Sequence, residues 1–164
     1  MNAFRANVKS AMEKVTQTGG STSGWRTTDA TCYGNTSGDD NGINGWNQLH
    51  YHNVRGNGVA IPIYCIRGSN RYNSSYVQSD CPEFSQGYGT IVEIRNPANG
   101  KSCTAIVADC GSFGPHGTCN HSTLLDLQPN TQRALGIWGN TTRVQYRVIN
   151  HWSSDRTNGN GPYR

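Results

Sequence analysis

The stretch NGKSCTAIVADCGSFG, residues 99–114, places an apolar run directly before a carboxylate. Residues 104–108 have the β-branched and small side chains of a buried strand, and Asp109 ends that run. A second acid, Asp126, lies inside another apolar run, LLDL at 124–127. An isolated carboxylate among apolar side chains is unfavourable unless it is hydrogen-bonded or protonated. The pattern therefore indicates that Asp109 and Asp126, which are close together in the chain, have a structural or functional role.

Outward from this stretch, short strands alternate with long polar loops. The candidate strands are Thr28–Tyr33, Gly58–Ile66, Thr90–Arg95, Ser102–Ala108 and Arg143–Ile149. NPANGK, residues 96–101, has the turn residues of a β-hairpin. One helix is expected in the body of the chain, over Pro129–Leu135, with Gly136 suited to its C-terminal end. This pattern predicts an all-β barrel with one short helix and long loops.

Three segments are expected along the chain. Residues 1–24 are predicted to form a short helix and a Gly/Ser/Thr linker, 25–150 the barrel domain, and 151–164 a flexible tail. MNAFRANVKSAMEKV has no apolar core of a signal peptide, and no stretch approaches the ~18 apolar residues of a membrane span. We expect an extracellular or virion-associated protein, with possible attachment to a larger particle through residues 1–20.

Cysteine usage and charge narrow the class of partner. The six cysteines are Cys32, Cys65, Cys81, Cys103, Cys110 and Cys119. Because they are irregularly spaced without a CxxC pair, we expect disulfides and no metal site. Cys110–Cys119 and Cys65–Cys81 are the pairings we expect, because each closes a short polar loop. The net charge of +4 suits a polyanionic partner such as cell wall. Lysines and arginines are scattered, so nucleic acid is not expected, and no cofactor is predicted.

Several motifs resemble one protein group. ATCYG (30–34) resembles the ATFYG that opens plant expansin domains. The first stretch quoted, followed by LLDLQPNTQRALG (124–136) and VQYRVI (144–149), resembles the second half of a double-psi β-barrel. Expansins, family 45 glycoside hydrolases, barwin-like proteins and rare lipoprotein A share that fold, and YGTIVEIRNPANGKS (88–102) resembles the hairpin of rare lipoprotein A. The resemblance implies a six-stranded double-psi β-barrel with pseudo-twofold symmetry and a polysaccharide-binding groove.

The resemblance also implies roles for the two carboxylates. Asp126 matches the general acid of the family 45 endoglucanases, and we expect its leucine neighbours to raise its pKa. Asp109 matches an aspartate of rare lipoprotein A. The position of the endoglucanase base is occupied by Thr31 or Tyr33, as in expansins, so a hydrolase would need a base elsewhere; the candidates are Asp29, Asp39 and Asp40. The structural alternative is that Asp109 accepts backbone N–H bonds and that Asp126 caps the following helix or ties two psi loops together.

A lytic transglycosylase needs only one acid/base, because the sugar's own 6-hydroxyl attacks. The histidine that rare lipoprotein A carries before its hairpin is missing from GVAIPIYC, residues 58–65, and His116 or His121 is the expected replacement. Aromatic rings bind sugars by stacking on their CH faces. Tyr33 and Phe113 match expansin groove positions, and Trp46 lies in a predicted loop, whereas Trp25, Trp138 and Trp152 are assigned to packing. The expected substrate-binding residues are thus Tyr33, Thr31, Phe113, His116, His121 and Trp46.

The function implied is action on a cell-wall polysaccharide, with peptidoglycan preferred over cellulose. Cleavage as a lytic transglycosylase or glycoside hydrolase is placed slightly ahead of non-catalytic, expansin-like wall binding and loosening. Two further alternatives stay open at this point: a structural component of a phage tail or other particle, and a cysteine-protease inhibitor.

Overall fold

The computed structural model describes residues 24–34, 56–66 and 81–151. The elements in these ranges are β1 (Arg26–Cys32), β2 (Gly58–Pro62), β3 (Thr90–Arg95), β4 (Ser102–Gly111), β5 (Thr123–Leu127), α1 (Pro129–Leu135) and β6 (Thr142–His151). The predicted segments 1–24 and 151–164 lie outside the described residues apart from Gly24 and His151, so the domain boundaries and the attachment segment stay predictions. Within the described part of the chain, no helix is long and apolar enough to cross a membrane.

The six strands form a closed barrel in the order β1-β5-β2-β4-β3-β6. Two pairs are parallel, β1 with β5 and β2 with β4, and the other four pairs are antiparallel. Among the described strands, closure leaves no unpaired edge, because β1 also pairs with β6. The fold predicted from the resemblance, a six-stranded barrel with one short helix, is confirmed.

The strand pairing has internal twofold symmetry. Exchanging β1 with β4, β2 with β5 and β3 with β6 maps each parallel pair onto the other and leaves the β2–β5 and β3–β6 pairs in place. Each parallel pair also contains one register irregularity. The symmetry axis therefore passes through the β2–β5 pair, where Ala60 and Asp126 are direct partners.

The inward-facing side chains of the strands fill the barrel and form the hydrophobic core. Alternation along β5 sends Leu125 and Leu127 inward, and both are fully buried. The equivalent inward positions on other strands include Ala30, Val59, Ile61, Val92, Ile94, Ala105, Val107, Val144 and Tyr146. Burial of this apolar surface is the main favourable contribution to folding.

The β3–β4 hairpin and helix α1 support one another. The hairpin turn closes with Asn96 N–H donating to Lys101 O at 2.8 Å. The side-chain amides of Asn96 and Asn99 donate to Leu135 O at 3.1 and 3.0 Å, so the turn satisfies a carbonyl at the end of α1. Gly136 follows in the left-handed region, with φ of 65°. Both the hairpin and the Pro129–Leu135 helix match their predictions.

One disulfide joins the two 3-10 turns, Ile63–Cys65 and Pro82–Phe84. It links Cys65 to Cys81, as predicted, and both residues are fully buried. Glu83 of the second turn accepts hydrogen bonds from Arg26 at 2.8 Å and from the Tyr146 hydroxyl at 2.6 Å. Burial, then the bond to Glu83, raises the pKa of Tyr146, so the hydroxyl keeps its proton for this contact. These contacts fix the second turn against β1 and β6.

Candidate functional site

Four residues lie side by side across four neighbouring strands. Thr31 on β1 pairs with Asp126 on β5, Asp126 pairs with Ala60 on β2, and Ala60 pairs with Asp109 on β4. We call these four residues the carboxylate row. The internal symmetry exchanges Thr31 with Asp109 and Ala60 with Asp126. Because adjacent strands lie about 4.8 Å apart, the Cα atoms of the two aspartates are separated by about 10 Å.

The carboxylate row lies on the outer face of the barrel. Its members alternate with core residues: Ala30 precedes Thr31, and Leu125 and Leu127 flank Asp126. Side chains of successive strand residues point to opposite faces. The expectation that these leucines surround the Asp126 carboxyl is therefore wrong for Leu125 and Leu127, whose side chains pack on the other side of the sheet.

Asp126 is partly buried and accepts a hydrogen bond from the Thr31 hydroxyl. The Thr31 Oγ1 to Asp126 Oδ1 distance is 2.9 Å. Burial raises the pKa of the nearby Cys32 thiol to about 11, and the negative charge of Asp126 raises it further. Asp126 does not cap helix α1, because the N-cap position belongs to Gln128 and no side chain caps it. The helix-capping alternative for Asp126 is thus excluded.

Asp109 is the more deeply buried of the two carboxylates, with 5% of its surface exposed. Cys110 N–H donates to Asp109 Oδ1 at 2.9 Å, as the structural alternative predicted. The Tyr33 hydroxyl donates to Asp109 Oδ2 at 3.5 Å, and the same oxygen of Tyr33 accepts from the Gln128 amide at 2.6 Å. Since Gln128 supplies the hydrogen of the shorter bond, the hydrogen of the Tyr33 hydroxyl is directed to Asp109.

Two glutamines in this network were not predicted. Gln128 stands two residues after Asp126, and Gln132 of α1 donates to the carbonyls of Tyr33 at 3.0 Å and Leu127 at 2.7 Å. Gln132 thereby fixes the backbone that carries the Tyr33 side chain. The sequence signal that identifies Gln128 is the two-residue spacing from Asp126, which places both side chains on one side of an extended segment.

The 112–121 loop buries Phe113 and engages His116 and His121 in contacts with Tyr64 and Gly114. Phe113 is 4% exposed, and backbone pairing joins it to Cys119, so its predicted role as a surface platform is not supported. The His116 ring packs edge-on against Tyr64, with ring centroids 5.1 Å apart. His121 Nδ1 lies 3.3 Å from Gly114 O, in a turn that Thr123 N–H closes by donating to Asn120 O at 3.0 Å. The role of either histidine as a replacement for the missing one stays a prediction.

Of the remaining candidate acids, the structure describes Asp29, which is bonded to residues outside the row. Asp29 accepts hydrogen bonds from Ser122 at 2.6 Å and from Arg143 at 3.0 Å. These two contacts, the Ser122 bond first, hold the pKa of Asp29 below its usual range. Asp39, Asp40 and Trp46 lie outside the described residues and stay predictions. In the described ranges, no group of His, Cys, Asp and Glu side chains is arranged to hold a metal ion.

The expectation that all six cysteines form disulfides is wrong, because Cys32, Cys103, Cys110 and Cys119 remain thiols. The Cys110 sulfur lies 3.2 Å from the Tyr88 hydroxyl. The residue before Cys119 is bonded to Ser112 and not to Cys110, because Thr118 N–H donates to Ser112 O at 2.9 Å. The predicted Cys110–Cys119 bridge is therefore not formed. Burial raises the pKa of the Cys103 thiol to about 12.

Comparison with known proteins finds 13 similar chains among the solved structures. Neither family models nor curated proteins match the chain. Among solved structures, the chain is similar to the crystal structure of an apo expansin of Clavibacter michiganensis, with 22% sequence identity and a TM-score of 0.44. The alignment covers 79% of this chain and 52% of the expansin chain. The chain thus spans about half the length of that expansin.

Proposed function

We propose that the outer face of the barrel binds a cell-wall polysaccharide along the carboxylate row. The observation that carries the proposal is the row itself, in which the Thr31 hydroxyl and the carboxylates of Asp126 and Asp109 are aligned on neighbouring strands. Carboxylates and hydroxyls are the hydrogen-bonding groups that sugar hydroxyls require. Ala60 contributes only a methyl group between the two aspartates and is 3% exposed, so Thr31 and Asp126, which are both partly exposed, are the members of the row that a sugar chain can reach.

Peptidoglycan is the preferred polymer, and cellulose is the second. The net charge of +4 favours association with an anionic wall. The hairpin resemblance to rare lipoprotein A supports the same choice, whereas the expansin likeness fits any wall polysaccharide. An extracellular location agrees with the Cys65–Cys81 disulfide, which persists in oxidising environments.

A second candidate function is cleavage of the bound glycan by Asp126. The observation that favours it is the unequal setting of the two acids: Asp109 is 5% exposed, whereas Asp126 is only partly buried beside Thr31. A lytic transglycosylase uses one such acid. The carboxyl gives its proton to the leaving oxygen as the C1–O bond breaks, the 6-hydroxyl of the same sugar attacks C1, and the carboxylate accepts the hydroxyl proton.

Pelleting and mass spectrometry test both functions together. The protein is incubated with purified peptidoglycan and, separately, with cellulose, and both the bound fraction and the soluble products are measured. Asp126→Asn removes the acid with little change in shape. Asp29→Asn is the matched control, because it makes the same substitution on β1 at a carboxylate engaged by Ser122 and Arg143.

We expect the wild type to pellet with peptidoglycan, and Asp126→Asn to weaken that binding more than Asp29→Asn does. Anhydro-ended fragments that disappear in Asp126→Asn would establish a lytic transglycosylase. Pelleting without products would leave a binding module and end the claim of cleavage. Neither pelleting nor products with either polymer would contradict the proposed function.

A further inference from the structure

Trp138 is the one large apolar side chain that the described residues expose, with 68% of its surface accessible. The assignment of Trp138 to packing is therefore wrong. It belongs to the 136–141 segment between α1 and β6, and the residues that follow it, Gly139, Asn140 and Thr141, are exposed as well. An indole in water forgoes a large amount of favourable burial. Its exposure thus needs a reason in function or in the local backbone.

The backbone around Trp138 is fixed at both ends. On one side, Ile137 is buried, and its N–H donates to Gln132 O at 2.9 Å. On the other side, the Cys32 thiol donates to Asn140 O, with 3.8 Å between sulfur and oxygen. An aromatic ring held by an ordered backbone loses little conformational entropy when a ligand stacks on it.

Both anchors of this segment are also neighbours of the carboxylate row. Gln132 donates to the Tyr33 carbonyl at 3.0 Å, and Cys32 lies between Thr31 and Tyr33 on β1. The segment therefore sits at the end of β1 where the row begins. A polymer lying along the row and continuing past Thr31 meets this segment next.

We infer that Trp138 is a stacking residue for a β-1,4-linked pyranose chain and extends the carboxylate row by one sugar-binding position. The inference rests on the proposed function. The indole covers the apolar CH face of one ring, while the exposed Asn140 and Thr141 offer polar groups to its hydroxyls. Cellulose and the glycan strand of peptidoglycan share this linkage and ring shape, so the probes must separate the two polymers.

Calorimetric titration with two soluble probes tests the inference. The probes are cellohexaose and peptide-free glycan strands prepared from peptidoglycan. The variants are Trp138→Ala and Trp138→Tyr, which keep the fold because the side chain is exposed. Trp25→Ala is the matched control, because the Trp25 ring packs against the guanidinium groups of Arg95 and Arg147, at 4.0 and 4.6 Å, rather than beside the row.

Trp138→Ala is expected to weaken binding of the preferred probe about tenfold, and Trp138→Tyr to retain most of the affinity. Trp25→Ala should leave the affinity unchanged. In protein labelled with 5-fluorotryptophan, the fluorine resonance that Trp138→Tyr removes should shift when the probe is added. Wild-type affinity in Trp138→Ala, with binding still sensitive to Asp126→Asn, would overturn this inference alone. A wild type that binds neither probe would overturn the inference and the proposed function together.

Discussion

The Tyr33 hydroxyl lies 3.5 Å from Asp109 Oδ2, although their strands β1 and β4 are separated in the barrel by β5 and β2. Tyr33 follows β1 directly, its N–H donates to Leu127 O of β5 at 3.1 Å, and its side chain extends from there toward Asp109 on β4. The Gln128 amide on the same hydroxyl fixes the direction of the bond. Tyr33 therefore connects the halves of the barrel that the internal symmetry exchanges, and Asp109 depends on a residue far away in sequence for one of its hydrogen bonds.

Tyr33→Phe should lower the free energy of unfolding by about 1–3 kcal/mol, because a buried carboxylate loses a donor and the buried Gln128 amide loses an acceptor. Urea denaturation at neutral pH measures the change. Tyr88→Phe is the matched control, since the Tyr88 hydroxyl contacts the sulfur of Cys110, which is a weak hydrogen-bonding group. An equal loss in the two variants would show that the Tyr33–Asp109 contact has no special weight.

Gly136→Ala should destabilise the protein more than Gly100→Ala. Both glycines have positive φ, 65° and 75°, so both substitutions carry the cost of a left-handed residue. A methyl group at Gly136 would also lie 2.8 Å from the Asn99 side-chain nitrogen, whereas at Gly100 nothing lies within 4 Å. Because Asn99 is bonded to Leu135 O, it cannot move away without breaking that bond.

Thermal and urea unfolding of the two glycine variants separate backbone strain from this contact. We expect Gly100→Ala to cost about 1 kcal/mol and Gly136→Ala to cost clearly more. Asn99→Ala added to Gly136→Ala should recover part of the difference, because the methyl group then has room. Identical losses in the two single variants would mean that the hairpin turn does not constrain the end of helix α1.

Replacing Cys65 and Cys81 by alanine should lower the free energy of unfolding by about 3 kcal/mol, the value expected when a disulfide closes a loop of this length. Cys119→Ala, which removes an exposed thiol, should change it by less than about 0.5 kcal/mol. Thiol titration of the denatured, unreduced protein should count four groups, matching the four thiols of the structure. A count of two would show that two of these four cysteines form a second disulfide, contrary to the structure.

The elements with a regular pattern were predictable from the sequence, and β5 was not. Its sequence TLLDL has leucines at three of five positions and no alternation that marks a strand. It becomes a strand because β1 and β2 offer backbone hydrogen bonds on its two sides. In the same way, the sequence places Phe113 and His116 in a polar loop, but in the structure the Phe113 ring is buried and the His116 ring packs edge-on against Tyr64.

Of the site, the sequence resemblance identified Thr31, Tyr33, Asp109 and Asp126, and the structure places these four together. Gln128 could be found only by knowing that the residues around Asp126 are extended. Trp138 was assigned to packing because an indole is usually buried. Its exposure depends on Gly136 and Ile137, which turn the chain at the end of α1 and leave the next residue outside.

Asp29 should make the stability of the protein depend on pH in the acid range. Its pKa is lower in the folded state than its ordinary value of 3.8, chiefly through the Ser122 hydroxyl and then through Arg143. A carboxyl whose pKa falls on folding stabilises the native state above the unfolded-state pKa, and loses that contribution as the pH falls through the folded-state value. The difference in unfolding free energy between wild type and Asp29→Asn should therefore be constant from pH 7 to about 5 and shrink below about 4.

Urea denaturation across pH 3–7 measures this difference, and carbon-13 NMR titration of the Asp29 carboxyl identifies its source. Ser122→Ala should raise the pKa of Asp29 more than Arg143→Gln does, because the hydroxyl is the larger contributor. Added salt should weaken the effect of Arg143, whose side chain is 66% exposed, and leave the Ser122 bond in place. A difference in unfolding free energy that persists unchanged to pH 3 would show that Asp29 acts through its shape and not through its charge.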